Sequence, residues 1–315
     1  IFTFTANESI TWSISGGDDQ NLFNIDSSTG VLSFKSAPNY ESPSDSDSNN
    51  IYLVTVKATD SSGNSSEQIL ATTITDSSST EWVKIGNDID GESAGDYSGT
   101  SVSLSSDGSV VAIGAYGNDG NGDSSGHVRI YQNIGGLWTQ IGSDINGEAA
   151  LDYSGASVSL SSDGSVVAIG ANNNDGGGYA NGHVRIYKND NGIWTQVGDD
   201  IDGEVLTDYS GTSVSLSSDG SIVAIGAHGN DGNGSSSGHV RIYKNDNGIW
   251  TQVGDDIDGE TRLDESGRSV SISSDGSIVA IGAPNNDGSG PNSGHVRIYK
   301  NDNGTWTQIG SDING

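Results

Sequence analysis

Four His-x-Arg pairs recur through the later part of the sequence: His127 with Arg129, His183 with Arg185, His239 with Arg241, and His295 with Arg297. An imidazole changes charge near neutral pH and is a common metal ligand. Residues two apart on a strand share a face, so each pair points the same way. A catalytic centre needs one constellation and not four copies, so these pairs are expected to serve packing and hydrogen bonding between repeated units. His228 occurs once, in a loop, and is expected to be exposed. Ser and Asp are too abundant for any Ser/His/Asp set to stand out, and the absence of cysteine excludes thiol chemistry.

Two loops have spacing that suits a hard cation. The first is Asn118-Asp-Gly-Asn-Gly122, with counterparts at Asn174, Asn230 and Asn286, which makes Asp119, Asp175, Asp231 and Asp287 candidate calcium ligands. Its flanks change from Tyr116-Gly to Asn172-Asn, His228-Gly and Pro284-Asn, as expected of a fixed turn that displays variable side chains. The second is Asp88-Ile-Asp-Gly-Glu92, with versions beginning at Asp144, Asp200 and Asp256. Acidic or amide oxygens at alternate positions beside a glycine are the spacing of calcium loops, so Asp88 and Asp90 are candidates too. Asn-Gly and Asp-Gly are also the commonest hairpin-turn chemistry, and the structural reading stays open for both loops.

These residues are carried by a repeat. Trp82, Trp138, Trp194, Trp250 and Trp306 stand 56 residues apart, and the segments between them align without a gap. Such a period signals stacked or radially arrayed units. Tryptophans on this spacing could stack on sugars, but an aromatic at the same place in every unit most simply fills the gap between neighbours. Within a unit, Val102 and Leu104 alternate with serines as in a half-buried strand. Ser106-Asp-Gly-Ser109 then makes a hairpin turn, Val110-Val-Ala-Ile-Gly-Ala115 reads as a strand buried on both faces, and Gly126–Tyr131 and Trp138–Ile141 supply two more strands. Four strands per unit fit a propeller blade. The competing parallel β-helix has coils of roughly 20 to 30 residues and fits poorly.

Residues 1–76 lie outside the period. Ile10–Ile14, Phe23–Asp26, Val31–Phe34 and Tyr52–Val56 read as strands of a small β-sandwich, with the polar tract 77–81 as a linker. An all-β fold is expected throughout, with four 56-residue units in 82–315. Twelve Lys and Arg against 42 Asp and Glu give a net charge of −30, which repels phosphate backbones and makes nucleic acid a poor partner. With no cysteine to form disulfides, bound cations would screen the acidic excess. No stretch is apolar enough to span a membrane. The chain lacks methionine, so it is expected to be a piece or processed form of a larger exported protein.

The segment with Ile10-Thr-Trp-Ser-Ile-Ser-Gly-Gly17, Phe23-Asn-Ile-Asp-Ser-Ser-Thr-Gly30, Pro38-Asn-Tyr-Glu41 and Val56-Lys-Ala-Thr-Asp60 resembles a bacterial cadherin-like repeat. That resemblance implies calcium bound by Glu41 and Asp60, with Asp45 and Asp47 able to add oxygens. The family's Asp-x-Asn-Asp-Asn linker is reduced here to Asp76 followed by Ser and Thr, and Asn39 stands where an aspartate often occurs. The 56-residue unit resembles the FG-GAP repeats of integrin-α-like propellers, through Asp152-Tyr-Ser-Gly-Ala-Ser-Val158, Ala168-Ile-Gly-Ala171, Gly182-His-Val-Arg-Ile-Tyr187 and Trp194. It implies propeller blades, usually seven, with ligand recognition on the faces and calcium in some loops. The family's Asp-x-Asp-x-Asp-Gly loop is shortened to Ser-Ser-Asp-Gly, leaving one carboxylate such as Asp107, which is expected to be structural.

The expected function is non-enzymatic. The chain is read as a calcium-dependent adhesion or display module, extracellular or on the cell surface, whose partner is a protein or polysaccharide. Self-association through exposed blade edges is also expected. A lectin-like or carbohydrate-active propeller is the alternative, and a purely structural stalk is a third.

Overall fold

The computed structural model describes residues 2–76 and 83–315, so the expected linker 77–81 and Trp82 lie outside the described residues. The chain divides into two compact units, Ile1–Val83 and Lys84–Gly315. In the first unit, β1 (Phe2–Thr3), β4 (Val31–Phe34) and β3 (Phe23–Ile25) form one three-stranded antiparallel sheet. A second contains β2 (Ile10–Gly16), β5 (Ile51–Asp60) and β6 (Ser65–Thr73). Period-two alternation in β5 sends Tyr52, Val54 and Val56 inward, where they meet Phe4, Phe23 and Leu32 in one core.

The second unit repeats one sheet four times. The first contains β7 (Ser101–Leu104), β8 (Val110–Ala115), β9 (His127–Ile134) and β10 (Leu137–Gln140), in the order β10-β9-β8-β7. A short β11 (Ile145–Asn146) pairs with the start of β9. The second sheet runs β12 (Ser157–Leu160), β13 (Val166–Ala171), β14 (His183–Asp190), β15 (Ile193–Gln196) and β16 (Ile201–Asp202). The third runs β17 (Ser213–Leu216), β18 (Ile222–Ala227), β19 (His239–Asp246), β20 (Ile249–Gln252) and β21 (Ile257–Asp258). The fourth runs β22 (Ser269–Ile272), β23 (Ile278–Ala283), β24 (His295–Asp302), β25 (Thr305–Gln308) and β26 (Ile313–Asn314). Every ladder within these sheets is antiparallel, as in propeller blades, and this overturns the parallel β-helix alternative.

The turn joining β7 to β8 owes its tightness to Asp107. Its Oδ1 accepts from the Ser105 hydroxyl at 2.7 Å and from the Ser109 backbone N–H at 2.9 Å. Those bonds hold the carboxyl down at about 2. The single carboxylate of this turn is therefore structural.

Burial explains why β8 and its counterparts are apolar at every position. Val110 and Ala112 face the next sheet and share a core with Val158, Leu160, Val167 and Ile169. Val111 and Ile113 face the other way, with Tyr131 and Trp138. The same core recurs between the second and third sheets and between the third and fourth. Polar contacts follow the period as well. The Trp194 indole N–H donates to the Ile141 carbonyl at 2.9 Å, and Trp250 and Trp306 repeat this at Val197 and Val253. Backbone N–H groups of Ser106, Ser162 and Ser218 each donate to the serine carbonyl 56 residues on, at 2.8 Å.

Among the described residues of this unit, no further sheet packs on the outer side of β7. Val102 and Leu104 are 63% and 59% exposed, whereas Val158 and Leu160 at the same places are 8% and 7% exposed. Leu160→Ala should therefore cost ~2–4 kcal/mol, because it leaves a cavity between two packed sheets, while Leu104→Ala should cost less than ~1 kcal/mol. Urea unfolding of the two variants measures the difference; equal losses would contradict burial between neighbouring sheets.

Candidate functional site

One end of each repeated sheet carries two loops: the lead-in to the first strand and the connection between the second and third strands. They approach closely. Gly126, at φ +76, sits against the Ser154 backbone, where a Cβ would collide with the Ser154 carbonyl oxygen, so only glycine fits. The Ser154 N–H donates to the Ser125 carbonyl at 3.0 Å, and the contact recurs at Gly182 with Ser210 and at Gly238 with Ser266.

The histidine that follows each of these glycines, and His295 after Gly294, opens the third strand and is buried, at 1% exposure for His127, His183 and His239 and 5% for His295. Its Nδ1 lies beside two carboxylates from different loops. For His183 these are Glu148 Oε2 at 4.0 Å and Asp200 Oδ2 at 3.5 Å. The corresponding distances are 3.9 and 3.8 Å for His127 with Glu92 and Asp144, and 3.9 and 3.4 Å for His239 with Glu204 and Asp256. For His295 with Glu260 and Asp312 they are 3.7 and 3.9 Å.

Both carboxylates are aimed. Gln196 Nε2 donates to Asp200 Oδ1 at 2.6 Å, which leaves Oδ2 toward the ring; Gln140, Gln252 and Gln308 do the same for Asp144, Asp256 and Asp312. Arg185 Nη1 lies 3.4 Å from Glu148 Oε1, which leaves Oε2 toward the ring, and Arg129, Arg241 and Arg297 repeat the pairing. Each arginine is fixed in turn by an Nη2 bond to a backbone carbonyl 39 residues earlier and by the face of Tyr131, Tyr187, Tyr243 or Tyr299.

Burial pushes His183 down to about 4, with Arg185 acting in the same direction and Asp200 and Asp152 opposing. Burial lowers His127 as well. Burial raises Glu148, against the pull of Arg185. The His127 and His183 rings are therefore neutral at neutral pH, and each of the four rings presents a nitrogen near two carboxylate oxygens. At His127, His183 and His295 this nitrogen and the two oxygens lie within 4.8 Å of one another, and at His239 the same holds with Glu204 and Asp208 or with Asp256 and Asp258, so each repeat has a donor set able to hold a metal ion.

The loop beginning at Asp144 thus serves two places. Asp144 faces His127 of the preceding sheet, while Glu148 faces His183 of the following one. Asp88, at the equivalent of Asp144, instead pairs with Lys84 at 2.6 Å. Asp90 offers its backbone carbonyl to Arg129 at 2.7 Å. Asp119, Asp175, Asp231 and Asp287 each accept a backbone N–H from within their own loop at 2.7–2.8 Å, the arrangement of a fixed turn. In the first unit, Asp60 accepts from the Ser62 and Asn64 N–H groups, and these bonds with the Asn64 side chain lower its pKa. Asp45 is buried and accepts from the Asn49 N–H at 2.7 Å, Asp47 accepts from the Asn49 side chain, and Glu41 is exposed. None of these carboxylates belongs to the His-Glu-Asp groups found among the described residues.

Sequence reasoning did not connect Glu148, Asp200 and Gln196 to His183. Their constant offsets of −35, +17 and +13 from the histidine in every unit were the available signal. His228, expected to be exposed, is half-buried: its ring stacks on Tyr209 with centroids 5.2 Å apart, and its Nδ1 lies 2.9 Å from the Thr212 hydroxyl.

The FG-GAP repeat matches in three places, residues 89–131, 202–243 and 257–299, each covering the lead-in loop and the first three strands of a sheet. No curated protein matches the chain. Among solved structures, a Bacteroides uniformis protein assigned as a 6-phosphogluconolactonase is 13% identical with a TM-score of 0.48, covering 96% of this chain and 81% of its own. The Pseudomonas aeruginosa periplasmic gluconolactonase is 16% identical with a TM-score of 0.46, covering 84% and 64%. The GH74 enzyme of Niastella koreensis is 14% identical with a TM-score of 0.41, covering 81% and 35%. The chain spans less than two thirds of the length of the last two. Among the described residues no helix is long and apolar enough to cross a membrane.

His228 gives a pH-dependent outcome. Burial, with Arg268 adding to it, pushes the ring down to about 4, so the folded state resists a proton that the unfolded chain accepts near 6.5. Its contribution is complete above about pH 6.5 and is lost as the pH falls toward 4. His228→Asn should flatten that part of the stability curve by roughly 1–2 kcal/mol, less than a fully enclosed ring would give. Urea midpoints of both proteins between pH 7 and 4 measure it; parallel curves would contradict the assignment.

Proposed function

We propose that this chain is a non-enzymatic display module of an exported surface protein, whose loop end binds an extracellular protein or polysaccharide. The observation that carries this reading is a row of apolar side chains presented to solvent by those loops. Tyr97 is 62% exposed, Leu151 49%, Tyr179 67%, Leu206 60% and Leu263 49%. The Leu151, Thr207 and Leu263 N–H groups donate to the Asp123, Tyr179 and Ser235 carbonyls, so each lead-in loop lies against the connecting loop of the preceding sheet. Exposed apolar groups gathered at equivalent places on a rigid frame mark an interaction surface.

Two of the lead-in positions hold non-glycine residues at positive φ, such as Leu151 at 69° and Tyr153 at 58°. That conformation costs about 1–2 kcal/mol per residue and persists only where the surroundings impose it, as at many binding sites.

A carbohydrate ligand is favoured by one further feature. Tyr97 stacks on Tyr116 with centroids 5.1 Å apart, and Tyr116 meets Tyr153 edge-on at 5.5 Å, an aromatic run that crosses from one sheet to the next. Apolar sugar faces pack on such rings. Calcium at Asp119, Asp175, Asp231 and Asp287 and at Asp88 and Asp90 is part of this proposal. A cadherin-like first unit with calcium at Glu41, Asp60, Asp45 and Asp47 belongs to the same proposal.

Replacing Tyr97, Tyr179 and Leu206 together by serine should weaken capture on an array of extracellular polysaccharides and surface proteins at least about tenfold without unfolding the chain. Undiminished capture would sink the loop-end reading, and turnover of a captured polysaccharide would replace it with an enzyme. Calcium is tested separately: chelation should lower the melting temperature, and identical melts with and without chelator would remove it.

A further inference from the structure

The four His-Glu-Asp groups present more than a tolerated burial of polar atoms. Nδ1 of His239 and Nδ1 of His295 are buried without a hydrogen-bond partner, and each lies 3.4–3.9 Å from two carboxylate oxygens. At that range an N–H···O bond is weak or absent. Two carboxylate oxygens held close together repel unless a cation stands between them. The arginine offsets part of the glutamate's charge from its other oxygen and leaves the oxygen nearer the ring to another cation.

We infer that each buried histidine with its two flanking carboxylates is a binding site for a divalent transition cation of the zinc class, giving four sites per chain: His127 with Glu92 and Asp144, His183 with Glu148 and Asp200, His295 with Glu260 and Asp312, and His239 with either Glu204 and Asp208 or Asp256 and Asp258. The spacing fits. Ligand atoms about 2.0–2.2 Å from a tetrahedral centre stand roughly 3.3–3.5 Å apart, close to the 3.4–4.0 Å between Nδ1 and the carboxylate oxygens.

A nitrogen donor beside two oxygens favours zinc-class ions over calcium, which takes roughly 6–8 oxygens. Glutamine orients one carboxylate and arginine the other, as outer partners of a metal centre do, while Nε2 of each histidine is buried without a partner. Three protein ligands leave one position for water or for a donor from a bound partner. The carboxylate side opens to solvent, with the glutamates 41–46% exposed and the aspartates 27–32%. In the third repeat the carboxylates divide into two alternative pairs around His239, Glu204 with Asp208 and Asp256 with Asp258.

A cation here would fasten the lead-in loop through its glutamate to the strand that carries the histidine, so metal would stiffen the loop end whatever that end binds.

The test is calorimetric titration of zinc chloride into the chelator-stripped chain in excess calcium. About four zinc equivalents are expected, one of them lost in His295→Gln, together with a zinc-dependent rise in melting temperature. Cobalt(II) in place of zinc should give the visible absorption of a four-coordinate nitrogen-oxygen site. Replacing all four histidines by glutamine should abolish both signals; if that variant does not fold, Glu92, Glu148, Glu204 and Glu260 replaced together by glutamine serve instead, because these side chains are partly exposed. Zinc binding that calcium displaces, that survives either set of substitutions in a folded chain, or that stays below one equivalent would mean general attraction to an acidic surface and would overturn the inference. Loss of zinc sites with ligand capture intact would leave the display reading standing.

Discussion

Burial of each repeated sheet between its neighbours is the constraint from which the rest of the second unit follows. A strand such as β13 is apolar at every position because both of its faces are covered, Val166 and Ala168 on one side and Val167 and Ile169 on the other. No single sheet can cover both of its own faces, so the stability of a repeat resides largely in its contacts with the next. Leu104 and Leu160 show this directly: the same residue in the same strand is exposed or buried according to whether a sheet lies beside it. The tryptophan, arginine and serine bonds that recur on the period then fix the register between sheets, since each links a side chain or backbone group to a carbonyl of a neighbouring repeat.

This constraint separates what was legible in the sequence from what was not. Strand positions, turn chemistry and the doubly buried run at Val110–Ala115 are local properties, set by alternation and by the Ser-Asp-Gly turns, and they could be read from one unit. The tryptophans were legible as gap fillers because a shared need of all units is visible in the period. The histidine environment was not. His183 draws its neighbours from residues 35 positions before and 17 after it, and nothing local to any of the three specifies the others. The spacing within Asp88-Ile-Asp-Gly-Glu92 and its copies likewise gives no sign that Asp144 and Glu148 face different histidines, since adjacency in sequence was the only available guide to adjacency in space.

In the connecting loops, local chemistry accounts for most of the acidic residues. Asp119 and its counterparts close a turn by accepting a backbone N–H, as Asp107 does at the opposite end of the strand. Much of the net charge of −30 is carried by such turn-forming and loop carboxylates. A high count of aspartates therefore says little about cations. What distinguishes the carboxylates at the histidines is that one oxygen of each is occupied by a glutamine or an arginine and the other is left facing a buried nitrogen.

That division places the site at the seam between repeats rather than within one. Each loop between sheets sends its first aspartate back to the preceding histidine and its glutamate forward to the following one, so a seam contributes to two sites and a site draws on two seams. The loops that carry these carboxylates are the ones that raise Leu151, Leu206 and Leu263 to the surface. Any change in spacing between neighbouring sheets would therefore move the carboxylates around each histidine and the exposed side chains together. The apolar packing that holds the sheets side by side thereby also sets the geometry of the loop surface, and the polar groups beneath that surface are positioned to reinforce it.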